Sequence, residues 1–330
     1  MVELGRLKLR IGTVALAAAM LAWPAMSWAQ APTSSTTRTA AARERAAVQA
    51  RAAAAARAAK DPNTPRFKTD DLGNLVPDVR AAAAIIFNPQ TNEVLWEANS
   101  HDQRSIASLT KLMTALTFIA DDPDLNRKVK IVSSDTRRAS VTYVRSGETI
   151  TLRDLLHLTL IASDNGAARA LARTSEGGMA GFVKRMNDTA KQLGLTSARF
   201  ADPSGLDARN VASAYDISHL LAYASANEQL APIMRTPKYE ILSGRRKVTV
   251  KSTNRLLTEG LDVVGGKTGF ISKAGYCLAT LFQIPHGSQV SVVVLGAANS
   301  TLRFAEVRHL FNWVVGRTNG LEGGDGVVER

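Results

Sequence analysis

Apolar and polar positions fall into two rhythms along this chain. Residues 82–87 and 93–97 are short apolar-rich runs on either side of Asn88-Pro89-Gln90-Thr91-Asn92, which predicts a hairpin. The spacing then changes. Leu109, Leu112, Met113 and Leu116 follow an i, i+3, i+4, i+7 pattern and predict a helix. Leu152, Leu155, Leu156 and Leu160 mark a second helix over Leu152–Ile161. Phe182, Val183, Met186, Ala190 and Leu193 mark a third, stopped by Gly194, and Ile217, Leu220, Leu221 and Ala224 a fourth. Strand-like runs return at 238–242, 247–251, 263–270, 276–284 and 290–295, the last two joined by Pro285-His286-Gly287-Ser288. Residues 302–315 close the pattern as a helix. Strands at both ends with helices between them predict an α+β fold. Its antiparallel sheet pairs the first strands with the last and is flanked by terminal helices, and an all-helical subdomain is inserted.

The ends of the chain read differently. Arg6, Lys8 and Arg10 precede an apolar stretch from Ile11 to about Ala22, and Ser27-Trp28-Ala29 offers small residues at a cleavage point. Residues 1–29 therefore read as a secretory signal peptide, and the mature chain is expected in a bacterial periplasm. Residues 30–78 read as an Ala/Arg-rich basic tether. Between Gln30 and Arg66, seven Lys and Arg oppose two acids, and no large apolar side chains are present to dock a helix. Such a tether is either a passive spacer or a peripheral contact with anionic wall polymer or membrane. The folded domain is expected over 79–316, long enough for one sizeable core, and residues 317–330 as a loose tail.

Composition narrows the chemistry. The chain has 330 residues, 45% hydrophobic and 21% charged, with a formal net charge of +12. Nucleic acid is not an expected partner, because the chain reads as exported and no aromatics interleave with the arginines. A single cysteine, Cys277, excludes a disulfide framework and multi-cysteine metal sites. His101, His157, His219, His286 and His309 form no His-Glu-x-x-His pair, so neither a metal nor another cofactor is expected. No Gly-x-Ser-x-Gly elbow exists, and Gly266-Lys267-Thr268 lacks the earlier glycine of a phosphate-binding loop. Arg137, Arg138 and the turn at 244–247 read as solvated surface, either able to meet an anionic partner.

Three short motifs carry a reaction. In Ser108-Leu109-Thr110-Lys111 the serine and lysine stand one helical turn apart on one face, so the amine can reach the hydroxyl. A serine is a poor nucleophile until a base takes its proton. A lysine serves as that base when burial and a second cation lower its pKa, and Lys267 is a candidate for that cation. Ser163-Asp164-Asn165 lies between two helices. There Ser163 can relay a proton to a leaving amine, and the Asn165 amide can hold a peptide. Lys267-Thr268-Gly269 lies on a strand, where Gly269 leaves room for a substrate backbone alongside. The Ser-x-Asn triplet is weak alone, since it recurs at 225–227 and 252–254. The ordered conjunction of all three motifs is the specific signal.

These motifs resemble those of the D-alanyl-D-alanine carboxypeptidases and endopeptidases, the low-molecular-mass penicillin-binding proteins. Ala274-Gly275-Tyr276, Asp202-Pro203-Ser204-Gly205-Leu206 and Thr301-Leu302-Arg303-Phe304-Ala305 extend the likeness over residues 79–313. The resemblance implies a β-lactamase/transpeptidase-like fold and hydrolysis of D-Ala bonds in peptidoglycan stem peptides through an acyl-enzyme. It further implies β-lactam antibiotics as covalent inhibitors. It makes Ser108 the nucleophile, Lys111 its base and Ser163 the proton relay. Asn165, Lys267, Thr268, Gly269 and Arg303 bind substrate, with Arg303 on its terminal carboxylate. The backbone N–H groups of Ser108 and Phe270 form the oxyanion hole. The chain ends soon after Trp313, which resembles the smaller endopeptidase branch, penicillin-binding protein seven and its relatives. Two alternatives share parts of this pattern. A class A β-lactamase needs an extra Glu, whereas residues 195–210 carry only Asp202 and Asp207. A non-hydrolytic peptidoglycan-binding protein has no need for the Ser108/Lys111 pair.

Overall fold

Five runs of β-branched and aromatic residues build one antiparallel sheet in the computed structural model, which describes residues 43–53, 61–284 and 287–322. The strands are β1 (Ala83–Asn88), β2 (Glu93–Ala98), β3 (Val263–Ile271), β4 (Gly275–Gln283) and β5 (Gln289–Ala297). Their order across the sheet is β3-β4-β5-β1-β2. The first strand pairs with the last, Val293 opposite Ile85 and Val294 opposite Ala84, as the sequence pattern requires. β1 is buried along its whole length, which explains its continuous apolar run. Its alternate residues serve two cores. Ile85 and Phe87 join Val293 and Leu295 on one face, and Ala84 and Ile86 join Val292 and Val294 on the other.

The helices are α1 (Thr110–Ile119), α2 (Leu152–Ile161), α3 (Asn165–Thr174), α4 (Gly178–Gln192), α5 (Ala214–Ala226) and α6 (Ser300–Glu322). The C-terminal α6 covers the second core through Leu302, Phe304, Val307 and Leu310. The others belong to the first core, which fills the helical lobe and the near face of the sheet. Local chemistry sets their starts. Thr151, Asp164 and Ser213 each accept a hydrogen bond from the amide three residues on, capping α2, α3 and α5. Helix α1 runs through the middle of the lobe, with nine of its ten residues buried. That is why its polar Thr110, Lys111 and Thr114 are fully enclosed.

Two boundaries differ from the sequence reading. Residues 61–78, expected as the end of the tether, are folded. Phe67–Thr69 pairs with Leu75–Pro77 around a turn in which Asp70 accepts from the amides of Leu72 (3.0 Å) and Asn74 (2.7 Å). Asn63 also contacts α6 through His309 and Arg308. Three-residue strands are too short to show a period. Helix α6 continues to Glu322, past the expected end of the helix at 315 and of the domain at 316. Residues 43–53 belong to a separate unit and form a helix whose residues are all exposed, as an Ala/Arg composition without large apolar side chains dictates. The segments expected as signal peptide (1–29), the remaining tether (30–42 and 54–60) and the end of the tail (323–330) lie outside the described residues. No helix among the described residues is long and apolar enough to cross a membrane.

Candidate active site

Ser108 sits in a short 3-10 turn, Ala107–Leu109, that leads directly into the buried helix α1. The turn is bent at Ala107, whose φ of +48° lies in the left-handed region that alanine rarely adopts. Two glycines make room for it. A Cβ on Gly205 would lie 2.1 Å from the Ala107 carbonyl oxygen and 2.9 Å from the Ser108 nitrogen. A Cβ on Gly269 would lie 2.9 Å from the Ile106 carbonyl oxygen and 3.1 Å from the Ser108 nitrogen. The space where a side chain at position 269 would sit is thus taken by the turn that carries Ser108.

One turn further, Lys111 is fully buried and its Nζ donates to three oxygens. These are Ser108 Oγ at 3.0 Å, Asn165 Oδ1 at 2.6 Å and the Ser204 carbonyl. Burial pushes the Lys111 ammonium down to about 7, against the pull of the Asp164 and Asp202 carboxylates. The Arg169 guanidinium lowers it further, and the repulsion between Lys111 and Lys267 disfavours charge on both amines. Near neutral pH a large fraction of Lys111 is a free amine within hydrogen-bond reach of a hydroxyl.

A second group faces it. Lys267, on β3, is also fully buried and donates to Ser163 Oγ at 2.8 Å and to the Thr268 carbonyl at 2.9 Å. Burial holds its amine well below the ordinary lysine range, helped by the charges of Lys111 and Arg303. Ser163 has φ +58° in the bend between α2 and α3, a second strained non-glycine residue at this site. Asn165, at the start of α3, donates to the Ala139 carbonyl at 2.6 Å, so its oxygen is the atom offered to Lys111. Thr268 Oγ1 pairs with Thr253 Oγ1 at 2.7 Å.

Arg303 projects from α6 and donates to the Gly269 (3.1 Å) and Cys277 (3.4 Å) carbonyls. Burial lowers its guanidinium to about 10, which leaves it a cation at neutral pH. Phe270 is exposed and stacks on Tyr276 with ring centroids 4.1 Å apart. A cleft of about 300 Å³ is lined by Ser108, Ser163, Asn165, Thr268, Gly269, Phe270 and Arg303. Thr253, Leu206, Ser140, Val141, Tyr143 and Ala162 complete the lining. No carboxylate is among these residues. The two lysines reach the site from beneath, through Ser108 and Ser163.

All the residues singled out in the sequence therefore converge on one cleft, and a comparison of the sequence with known families decides what they belong to. The model of the D-alanyl-D-alanine carboxypeptidase family matches residues 71–299. The chain belongs to that family. A D-alanyl-D-alanine endopeptidase of Pseudomonas aeruginosa is 33% identical over 73% of this chain and 79% of that protein. A D-alanyl-D-alanine endopeptidase of Escherichia coli is 31% identical over 72% and 78% respectively. Among solved structures, a D-alanyl-D-alanine carboxypeptidase from Mycobacterium tuberculosis H37Rv superposes with a TM-score of 0.68 at 27% identity, covering 76% of this chain and 96% of that one. A mutant of the Streptomyces K15 DD-transpeptidase gives 0.67 at 26%, covering 72% and 98%.

Three features of this family member escaped the sequence reading. Gly205 and the Ser204 carbonyl buttress the Ser108 turn and hold Lys111. Their loop is gathered by Asp202, whose carboxylate accepts from the amides of Gly205 (2.8 Å) and Asp207 (2.6 Å) and from Asn210 Nδ2 (2.9 Å). Thr253 orients Thr268. The Asp-Pro-Ser-Gly-Leu segment was visible as a motif, but nothing local reveals that it packs under Ser108.

Proposed function

We propose that this chain is a serine DD-peptidase that opens D-alanyl bonds in peptidoglycan stem peptides, acting as an endopeptidase on cross-links and able to trim terminal D-alanine. The reading rests above all on Lys111, a buried amine 3.0 Å from the Ser108 hydroxyl. The neutral amine takes the Ser108 proton as Oγ attacks the carbonyl carbon of the D-residue. The backbone N–H groups of Ser108 and Phe270 receive the oxyanion. As the amide bond breaks, Ser163, which Lys267 holds at 2.8 Å, passes its proton to the leaving amine and takes up the one that Lys111 removed from Ser108, so that both groups return to their starting states. Water then attacks the acyl-enzyme ester and returns the proton to Ser108. Asn165 and Thr268 grip the peptide from opposite walls, and Arg303 meets the carboxylate of the leaving residue. The basic start of the chain and the nature of the substrate favour action outside the cytoplasm, in a periplasm reached through a cleaved signal peptide at 1–29.

Incubation with purified cross-linked dimers and pentapeptide muropeptides tests this reading. The wild type is expected to yield monomers from dimers and Ser108→Ala to yield none. Intact dimers and intact pentapeptides after wild-type treatment, with sacculi still captured by both proteins, would establish a pure binder instead.

A further inference from the structure

One rim of the cleft is basic and unbalanced. The loop 137–145 supplies Ser140, Val141 and Tyr143 to the cleft lining, and it carries Arg137, Arg138 and Arg145, all exposed. The turn between Lys238–Ser243 and Arg246–Lys251 abuts this loop, where Arg246 donates to the Tyr143 carbonyl at 2.6 Å, and it adds the exposed Arg245. These four guanidiniums make no ion pair or side-chain hydrogen bond with any described residue. The nearby acids are already engaged. Asp135 is buried against Arg173, and Glu148 binds Arg246 and Ser243. Asp154 accepts from Tyr239, and Asp164 caps α3. Arg138 and Ser140 have φ of +53° and +59°, so the loop that adjoins the cleft holds a strained shape. Structural arginines would be expected to have partners; these do not.

We propose that Arg137, Arg138, Arg145 and Arg245 form a carboxylate-reading rim that selects peptides bearing free carboxylates outside the scissile dipeptide, over peptides in which those carboxylates are amidated. This rests on the DD-peptidase reading of the same cleft. Exposed guanidiniums attract a carboxylate through water, so each contributes a few-fold at most and several act together. The contribution is to substrate capture, not to the bond-breaking step.

The test uses two donor peptides that differ only in amidation, with wild type and an Arg137→Gln/Arg138→Gln/Arg145→Gln variant. These side chains make no ion pair or side-chain hydrogen bond among the described residues, and acylation of Ser108 by benzylpenicillin reports whether the machinery is intact. The wild type is expected to show a KM roughly tenfold lower for the free-carboxylate peptide, with similar kcat and a difference that shrinks at high salt. In the variant the two KM values should agree within about twofold, and penicillin acylation should be unchanged. Equal KM values in the wild type, or discrimination kept by the variant, would overturn the proposal. So would a variant that loses binding to sacculi while keeping peptide discrimination, which would assign the rim to a wall polymer. Cleavage of neither peptide by the wild type would bring down the DD-peptidase reading itself, and the rim with it.

Discussion

Replacing Gly205 by alanine tests how the nucleophile is held. The residue has φ +81°, which costs an L-residue about 1–2 kcal/mol. Its new methyl would meet the Ala107 carbonyl oxygen at 2.1 Å, the Ala107 carbonyl carbon at 2.5 Å and the Ser108 nitrogen at 2.9 Å. All three are backbone atoms of the turn that carries Ser108, so no side chain can swing away. Forcing a methyl into such a site costs a further ~1–3 kcal/mol. Together these predict a loss of about 2–5 kcal/mol, or roughly 5–20 °C in Tm at about 2–4 °C per kcal/mol for a domain of this size. Activity should suffer more than stability, because a displacement of about 1 Å in the nucleophile costs on the order of a hundredfold. Gly194→Ala is the matched control. Its φ is +71°, but no atom lies within 4 Å of the added methyl. It should lose only the ~1–2 kcal/mol of the backbone conformation and acylate at the wild-type rate. Thermal melts together with the rate of Ser108 acylation by a fluorescent penicillin give both readouts. If Gly205→Ala acylates within twofold of wild type, or if Gly194→Ala loses as much acylation, the buttress reasoning is wrong.

The remaining predictions concern the amine and the acyl-enzyme. Lys111 works as a base only when neutral, and its pKa lies at about 7, so acylation should rise about tenfold per pH unit below that value and level off above it. Stopped-flow acylation between pH 5 and pH 9 would show it, and a flat or falling profile would contradict the assignment. A penicillin bound to Ser108 should persist for hours as an intact-mass adduct, since no carboxylate lines the cleft to activate water and Asp202 is committed to its own loop. Release within seconds would instead mark a β-lactamase.

Several elements were legible because their causes are local. The helix at Leu152–Ile161 was read to the residue, since the apolar spacing that defines it lies within the segment. β1, β4 and β5 were recognisable as largely apolar or β-branched runs because the sheet is covered on both faces. The Ser108–Lys111 pairing follows from one helical turn, and the other site residues from motifs whose order mirrors the fold. What stayed hidden depends on contacts between distant parts of the chain. Gly205 matters because of Ala107, Thr253 because of Thr268, and the Ser204 carbonyl because of Lys111. No period or triplet encodes such a meeting. The hairpin at 67–77 was missed for another reason: its strands are three residues long, and their role comes from neighbours on α6.

The pairing of β1 with β5 has a temporal consequence. The sheet that brings β3 beside the Ser108 turn needs β5 between β4 and β1, and β5 is the last of the five strands a ribosome delivers. Until those residues emerge, a nascent chain holds every catalytic side chain except Arg303 yet has no edge on which to assemble them. Contacts this remote in sequence form slowly. The site can therefore assemble only once β5 has been delivered, an order of events written into strand connectivity alone.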